Sequence, residues 1–114
     1  MSKPLVKVCC ITSHKEAEIA LKAGADLLGL VSEMPSGPGV IALDAIAKIV
    51  KHLPPATKTV LLTSKTKAED ILSQHNQVKT WGIQLVDFIS FVDLRTLKKQ
   101  LLNIQLIQVI HVTD

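Results

Sequence analysis

Five short apolar runs, separated by four segments of helical spacing, constrain the fold of this chain more than any other feature. Leu5 to Ile11, Asp26 to Val31, Lys58 to Thr63, Gly82 to Val86 and Gln105 to Val112 are rich in Val, Leu and Ile. Apolar runs of this length predict parallel strands buried on both faces. Ser13 to Ala23 carries Ala17, Ala20 and Leu21 at helical spacing, with a capping-box pair in Ser13 and Glu16 and a stop at Gly24. Further helices are predicted over Leu43 to Leu53, ended by Pro54-Pro55, over Lys67 to His75, and over Leu94 to Leu102 with Asp93 as its N-cap. The order βαβαβαβαβ means an α/β fold on a parallel sheet. Repeating units of about 25 residues suit a closed barrel, but eight of them need about 200 residues or more. The chain has 114. It is half a barrel, or it is an open sheet.

Composition narrows the class. At 114 residues a single domain, 1–114, is expected, and such a domain buries roughly 65% of its unfolded surface. With 47% hydrophobic and 20% charged residues the chain is too apolar for disorder. Its apolar runs are far shorter than a membrane span requires. The opening Met-Ser-Lys-Pro-Leu-Val-Lys-Val lacks an apolar h-region, so no signal peptide and a cytoplasmic location are expected. The net charge of +3 is spread over separate pairs such as Lys48 and Lys51, or Lys98 and Lys99. With Trp81, Phe88 and Phe91 as its aromatic residues, the chain has little to stack on bases. Nucleic acid and membrane are therefore not expected partners. His14, His52 and His75 fall on predicted helix surfaces without ligand spacing, so no metal is expected, and no motif calls for a cofactor. Cys9 and Cys10 are neighbours; they cannot close an ordinary disulfide loop, and in a strand they point to opposite faces.

Three segments resemble one family. Val6-Lys-Val-Cys-Cys-Ile-Thr12 is similar to the opening strand of phosphoribosylanthranilate isomerases, which reads Lys-Ile-Cys-Gly-Ile-Thr. Ala20-Leu-Lys-Ala-Gly-Ala-Asp-Leu-Leu-Gly-Leu30 resembles their Ala-Gly-Ala-Asp-x-x-Gly-Phe segment. Gly82-Ile-Gln-Leu85 is similar to their fourth strand, which ends Gln-Leu-His-Gly. The likeness runs through the whole chain in order and spacing and ends after the fifth strand. It implies the N-terminal half of a TIM (β/α)8 barrel. The rival architecture, an open flavodoxin-like five-stranded sheet, has no phosphate loop or acidic cluster to recommend it.

The resemblance also implies a chemistry. The family carries out an Amadori rearrangement, opening a ribosylamine ring to a 1-deoxyribulose in tryptophan biosynthesis, and needs a general acid and a general base. The family's base is the Cys of its first strand, held here by Cys9. Lys7 shares its strand face, where an ammonium favours thiolate. Of the family's other chemical groups, Gln84 is retained. Its substrate-carboxylate Arg aligns with Pro38, the His after Gln-Leu is Val86, and the Gly after the first Cys is Cys10. The acid Asp and the phosphate loops belong to later strands. The chain brings its own polar residues to the predicted strand ends: Thr12 and Ser13, Ser36, Thr63 and Ser64, Asp87, and His111 with Thr113 and Asp114. These should share one rim, where barrel enzymes place chemistry. Ser13 and Ser64 read as helix caps; Asp87 and His111 are candidate acid or base groups; Lys7, Ser36 and Gln84 are candidate substrate-binding groups.

The expectation is an isomerase-like protein acting on a phosphorylated sugar or related small molecule, inactive or altered in specificity as this short chain. The alternative is a non-enzymatic small-molecule binding or assembly protein on the same scaffold. Half a barrel leaves its interior side open, with Lys7, Cys9 and Ile11 lining it from the first strand. It also leaves strands one and five as unpaired edges, so a homo-oligomer or a missing C-terminal half is the expected partner.

Overall fold

The computed structural model describes residues 4–35 and 37–112. Nine elements follow one another: β1 (Lys7–Val8), α1 (His14–Lys22), β2 (Leu27–Val31), α2 (Leu43–Lys51), β3 (Lys58–Thr63), α3 (Ala68–Val78), β4 (Gly82–Leu85), α4 (Phe91–Gln100) and β5 (Gln105–Gln108). All strand pairs are parallel, and the sheet order is β1-β2-β3-β4-β5. Each crossover thus steps one strand in the same direction. Because such crossovers are right-handed, every helix lands on the same side of the sheet. A flavodoxin-like order would place β1 between two strands and helices on both faces. Here β1 has one neighbour, which excludes the flavodoxin-like order and leaves the half-barrel, its sheet open between β1 and β5.

Helix–sheet packing supplies most of the core. Leu28 and Leu30 of β2 and Leu61 of β3 meet Ala17, Ala20, Ile46 and Ile49 from α1 and α2. Ile83 and Leu85 of β4 meet Ile71 of α3 and Leu97 of α4. The strand residues of opposite parity face the concave side, where Val31, Val60 and Leu62 form a third cluster. This period-two division holds along β2, β3 and β4.

The helices start where local chemistry allows. Ser13 Oγ accepts from the Glu16 N–H at 3.1 Å and caps α1 as expected. The Glu16 carboxylate bonds one residue further back, accepting from the Thr12 N–H and hydroxyl at 2.7 Å each. The N-cap of α4 is Ser90 and not Asp93, so the helix begins three residues earlier than its apolar spacing suggests. Ser64 is no cap either; the residue before α3 is Lys67, and Ser64 Oγ lies 3.5 Å from the Glu33 carbonyl. Asp93 takes over: its carboxylate accepts from the Ala68 N–H at 3.0 Å, so a residue of α4 caps the otherwise uncapped α3.

Four strands are shorter than predicted, β2 and β4 by one residue and β1 and β5 by several. β1 stops at Val8 because Cys10 adopts φ +63°, the left-handed region, which costs a non-Gly residue roughly 1–2 kcal/mol. The chain still runs beside β2, with the Ile11 N–H bonded to the Gly29 carbonyl at 3.1 Å. The turn reverses the alternation, so Ile11 is buried among the helices and does not line the concave side. It also brings Cys10 to the same side as Cys9, against the expectation for two strand neighbours. β5 stops at Gln108, whose side-chain amide donates to the Leu85 and Asp87 carbonyls. Among the described residues, no helix is long and apolar enough to cross a membrane.

Candidate functional site

The concave face near the strand C-termini gathers three of the residues singled out from the sequence. The Lys7 ammonium donates to Gln84 Oε1. Lys7 pairs with Leu27 of β2, whereas Gln84 pairs with Leu62 of β3, so the lysine reaches across two strands to make this bond. Cys9 packs on the same cluster, beside Val31, Val60 and Leu62. Directly beneath it is Gly29, where a Cβ would stand 2.7 Å from Cys9 Sγ and 3.1 Å from Leu62 Cδ1. A side chain there would force the thiol or Leu62 to shift. A thiol, an ammonium and an amide oxygen thus line one surface, which can hold an anionic polar substrate and exchange a proton at sulfur.

Asp87 and His111 form a second group, on the rim at the ends of β4 and β5. Asp87 is exposed and its backbone carbonyl accepts from Gln108 Nε2 at 3.1 Å. His111 Nε2 lies 2.9 Å from the Val86 carbonyl, so its N–H donates and the ring is tied over the end of β4. Their bonds are with the β4–β5 junction, apart from the Lys7–Gln84 pair. Thr63 points the other way, its hydroxyl donating to buried Gln74 Oε1 at 2.6 Å on the helix side. Ser36, Thr113 and Asp114 lie outside the described residues. Among the described residues, no group of three His, Cys, Asp or Glu could hold a metal ion.

Sequence reasoning missed two participants. Gly39, with φ +78°, folds the β2–α2 loop onto Cys10, so that a Cβ there would stand 2.5 Å from Cys10 Cβ. Met34 packs against the same cluster. Both lie in the Gly/Pro-rich loop Glu33 to Val40 that follows the second strand, the kind of loop where α/β proteins place ligands, but their contacts depend on where that loop returns through the Val31–Val40 bridge. Burial pushes the Cys10 thiol up, and the charge and hydrogen bonding of Cys9 add to the effect.

No protein-family model matches the chain. Two curated relatives are N-(5'-phosphoribosyl)anthranilate isomerases. That of Methanocaldococcus jannaschii is 32% identical over 113 residues, covering 94% of this chain and 49% of the relative. That of Methanothrix thermoacetophila is 27% identical over 95 residues, covering 83% and 46%. A solved phosphoribosylanthranilate isomerase, in complex with reduced 1-(o-carboxyphenylamino)-1-deoxyribulose 5-phosphate, superposes with a TM-score of 0.86 at 25% identity. The match covers 98% of this chain and 56% of that one. The chain therefore spans about half the length of the curated relatives it matches. Sequence and strand order agree: the relatives and structural neighbours of this chain are phosphoribosylanthranilate isomerases, and it matches the N-terminal half of their barrel.

Proposed function

We propose that this chain is the half of a phosphoribosylanthranilate isomerase-type enzyme that carries the general base, and that it turns over substrate when a C-terminal half completes the barrel. The observation that carries this reading is Cys9 on the concave face above Gly29, at the position of the family's base. In that role the Cys9 sulfur takes the C2 proton of the opened sugar. Lys7, fixed by Gln84, supplies positive charge to a phosphorylated or carboxylated substrate. The acid that protonates the ring oxygen comes from the other half in the family. Asp87 and His111 are the groups of this chain with the right chemistry on the same rim. The solved relative's complex supports a phosphorylated sugar bearing an anthranilate group as substrate class. The biosynthetic role fits the cytoplasm.

A second reading, a non-enzymatic binding or assembly module, is favoured by Pro38 and Val86, which stand where the family has Arg and His. One assay separates the two. The chain is measured for isomerase turnover alone and after mixing with the C-terminal half of the Methanocaldococcus jannaschii relative. The expected result is no turnover alone and turnover in the mixture, abolished by Cys9→Ala; acid–base groups of this kind commonly contribute ~10² to 10⁴-fold. A mixture that forms a 1:1 complex, binds the product analogue and never turns over would favour the binding module.

A further inference from the structure

Cys10 occupies a position whose backbone, at φ +63°, suits glycine. A side chain tolerated there needs a compensating reason, and the geometry around it suggests one. The left-handed turn swings Cys10 to the side of the sheet that Cys9 occupies, and both pack on the same concave cluster. Two glycines make the room. Gly29 lies under Cys9 Sγ, and Gly39 lies against Cys10, where a Cβ would come within 3.2 Å of Sγ. Both thiols are free and half-buried, so each is reachable by a small solute.

We propose that Cys9 and Cys10 are a dithiol which a hydroperoxide converts into a vicinal disulfide, and that this reversibly removes Cys9 from service as a base. The last clause rests on the isomerase reading; the thiol chemistry does not. In the first step the deprotonated Cys9 sulfur attacks one peroxide oxygen. The S–O bond forms, the O–O bond breaks and hydroxide leaves, so sulfur is oxidised by two electrons and the peroxide is reduced. In the second step the Cys10 sulfur attacks Cys9 sulfur. The S–S bond forms, the S–O bond breaks, and the departing hydroxide takes the Cys10 proton as water. With hydrogen peroxide the sum is two thiols and one peroxide giving one disulfide and two waters. Burial and the neighbouring Cys9 push the Cys10 thiol up, which disfavours Cys10 as the sulfur of the first attack and leaves that step to Cys9. Consecutive Cα atoms lie about 3.8 Å apart across a trans peptide, closer than ordinary disulfides prefer. A bond closed at that separation is strained and returns readily to dithiol when a cellular thiol attacks it.

The test treats the reduced, folded chain with one equivalent of hydrogen peroxide and follows intact mass and free thiols. The expected result is that both thiols vanish together, the mass falls by two hydrogens, the chain stays single on a non-reducing gel, and reduced glutathione restores both thiols. Cys10→Gly, which keeps the backbone conformation accessible, is expected to stop at a sulfenic acid on Cys9 that dimedone traps. Wild-type chain that gains oxygen and keeps one thiol would overturn the proposal. So would disulfides formed between chains as the sole product, or thiols that resist excess peroxide when folded and react when denatured. The readout is separate from turnover: an inactive completed barrel leaves this proposal standing, and failure of the disulfide to close leaves the isomerase reading standing.

Discussion

At the scale of single residues, the site depends on which positions lack a Cβ. Gly29 is the sharpest case, since an added methyl meets Cys9 Sγ at 2.7 Å and Leu62 Cδ1 at 3.1 Å. Overpacking of this kind costs about 1–3 kcal/mol. Gly29→Ala is therefore expected to lower the urea midpoint without changing the slope, and Cys9→Ala in the same chain should recover part of the loss. A coupling of about 0.5 kcal/mol or more between the two changes, measured as a double-mutant cycle, is the expected sign of direct contact; strict additivity would disprove it. Much of this environment was legible in the sequence. Cys9, Lys7 and Gln84 share the concave face as strand alternation and the family likeness imply. Cys10 and Ile11 were misplaced for one reason: alternation assumes extended backbone, and a left-handed residue reverses it. The glycine that the family carries at that position was the available signal.

At the scale of elements, β3 matches its sequence range from Lys58 to Thr63, and the element order is as predicted throughout. The start of α4 moved because Ser90, and not Asp93, is its cap. Asp93 looked like the cap of its own helix, but a carboxylate three residues inside α4 can reach a neighbour that sequence does not reveal. The Ala68 N–H, then the Ser90 hydroxyl, then the Lys67 charge hold the Asp93 carboxyl below the usual range. Glu16 is lowered in the same way by the Thr12 N–H and hydroxyl. A carboxyl whose folded pKa is depressed adds stability above its unfolded pKa, about 3.9 for Asp and 4.3 for Glu. That contribution fades as pH falls below about 4 and through the folded value. Wild type is thus expected to lose stability on acidification through this window, and Asp93→Asn to be weaker near neutrality with a flatter acid limb. Thermal melts at a series of pH values check it. Parallel acid limbs for both proteins would show that the bridge between α3 and α4 carries no free energy. Ser90→Ala, which removes the cap of α4 and a donor to the Asp93 carboxylate, should cost about 1 kcal/mol near neutrality and less below the Asp93 window.

At the scale of the whole molecule, the open interior expected of half a barrel is covered at its centre and open at one mouth. The concave cluster is covered by its own neighbours: Val60 is 0% exposed, Val31 4% and Leu62 8%. Lys7 reaching to Gln84, with Cys9 and Met34, does the covering. Exposure is concentrated instead at the two sheet edges and at the rim beyond β4. Leu5 and Val6 flank β1, Ile107 lies on β5, and Phe88 and Ile110 stand 84% and 78% exposed. Leu5, Leu27, Trp81 and Ile107 line one cavity of about 600 Å³, so the curled sheet brings residues from both edges to a shared mouth. Each edge strand pairs on one side, leaving N–H and C=O groups to be met by another chain. A second copy and a C-terminal half-barrel would compete for the same edges. Alone, the chain is therefore expected to self-associate, with symmetric dimers the commonest outcome. Addition of the C-terminal half of the Methanocaldococcus jannaschii relative is expected to convert that oligomer into a 1:1 complex. Light scattering after size exclusion, over a dilution series into the low micromolar range, measures both. A single-subunit mass at every concentration, with a cooperative melt, would show that the edges are stable in water. An oligomer that persists beside the added half would show that self-association uses a different surface, the Phe88–Ile110 rim being the one left.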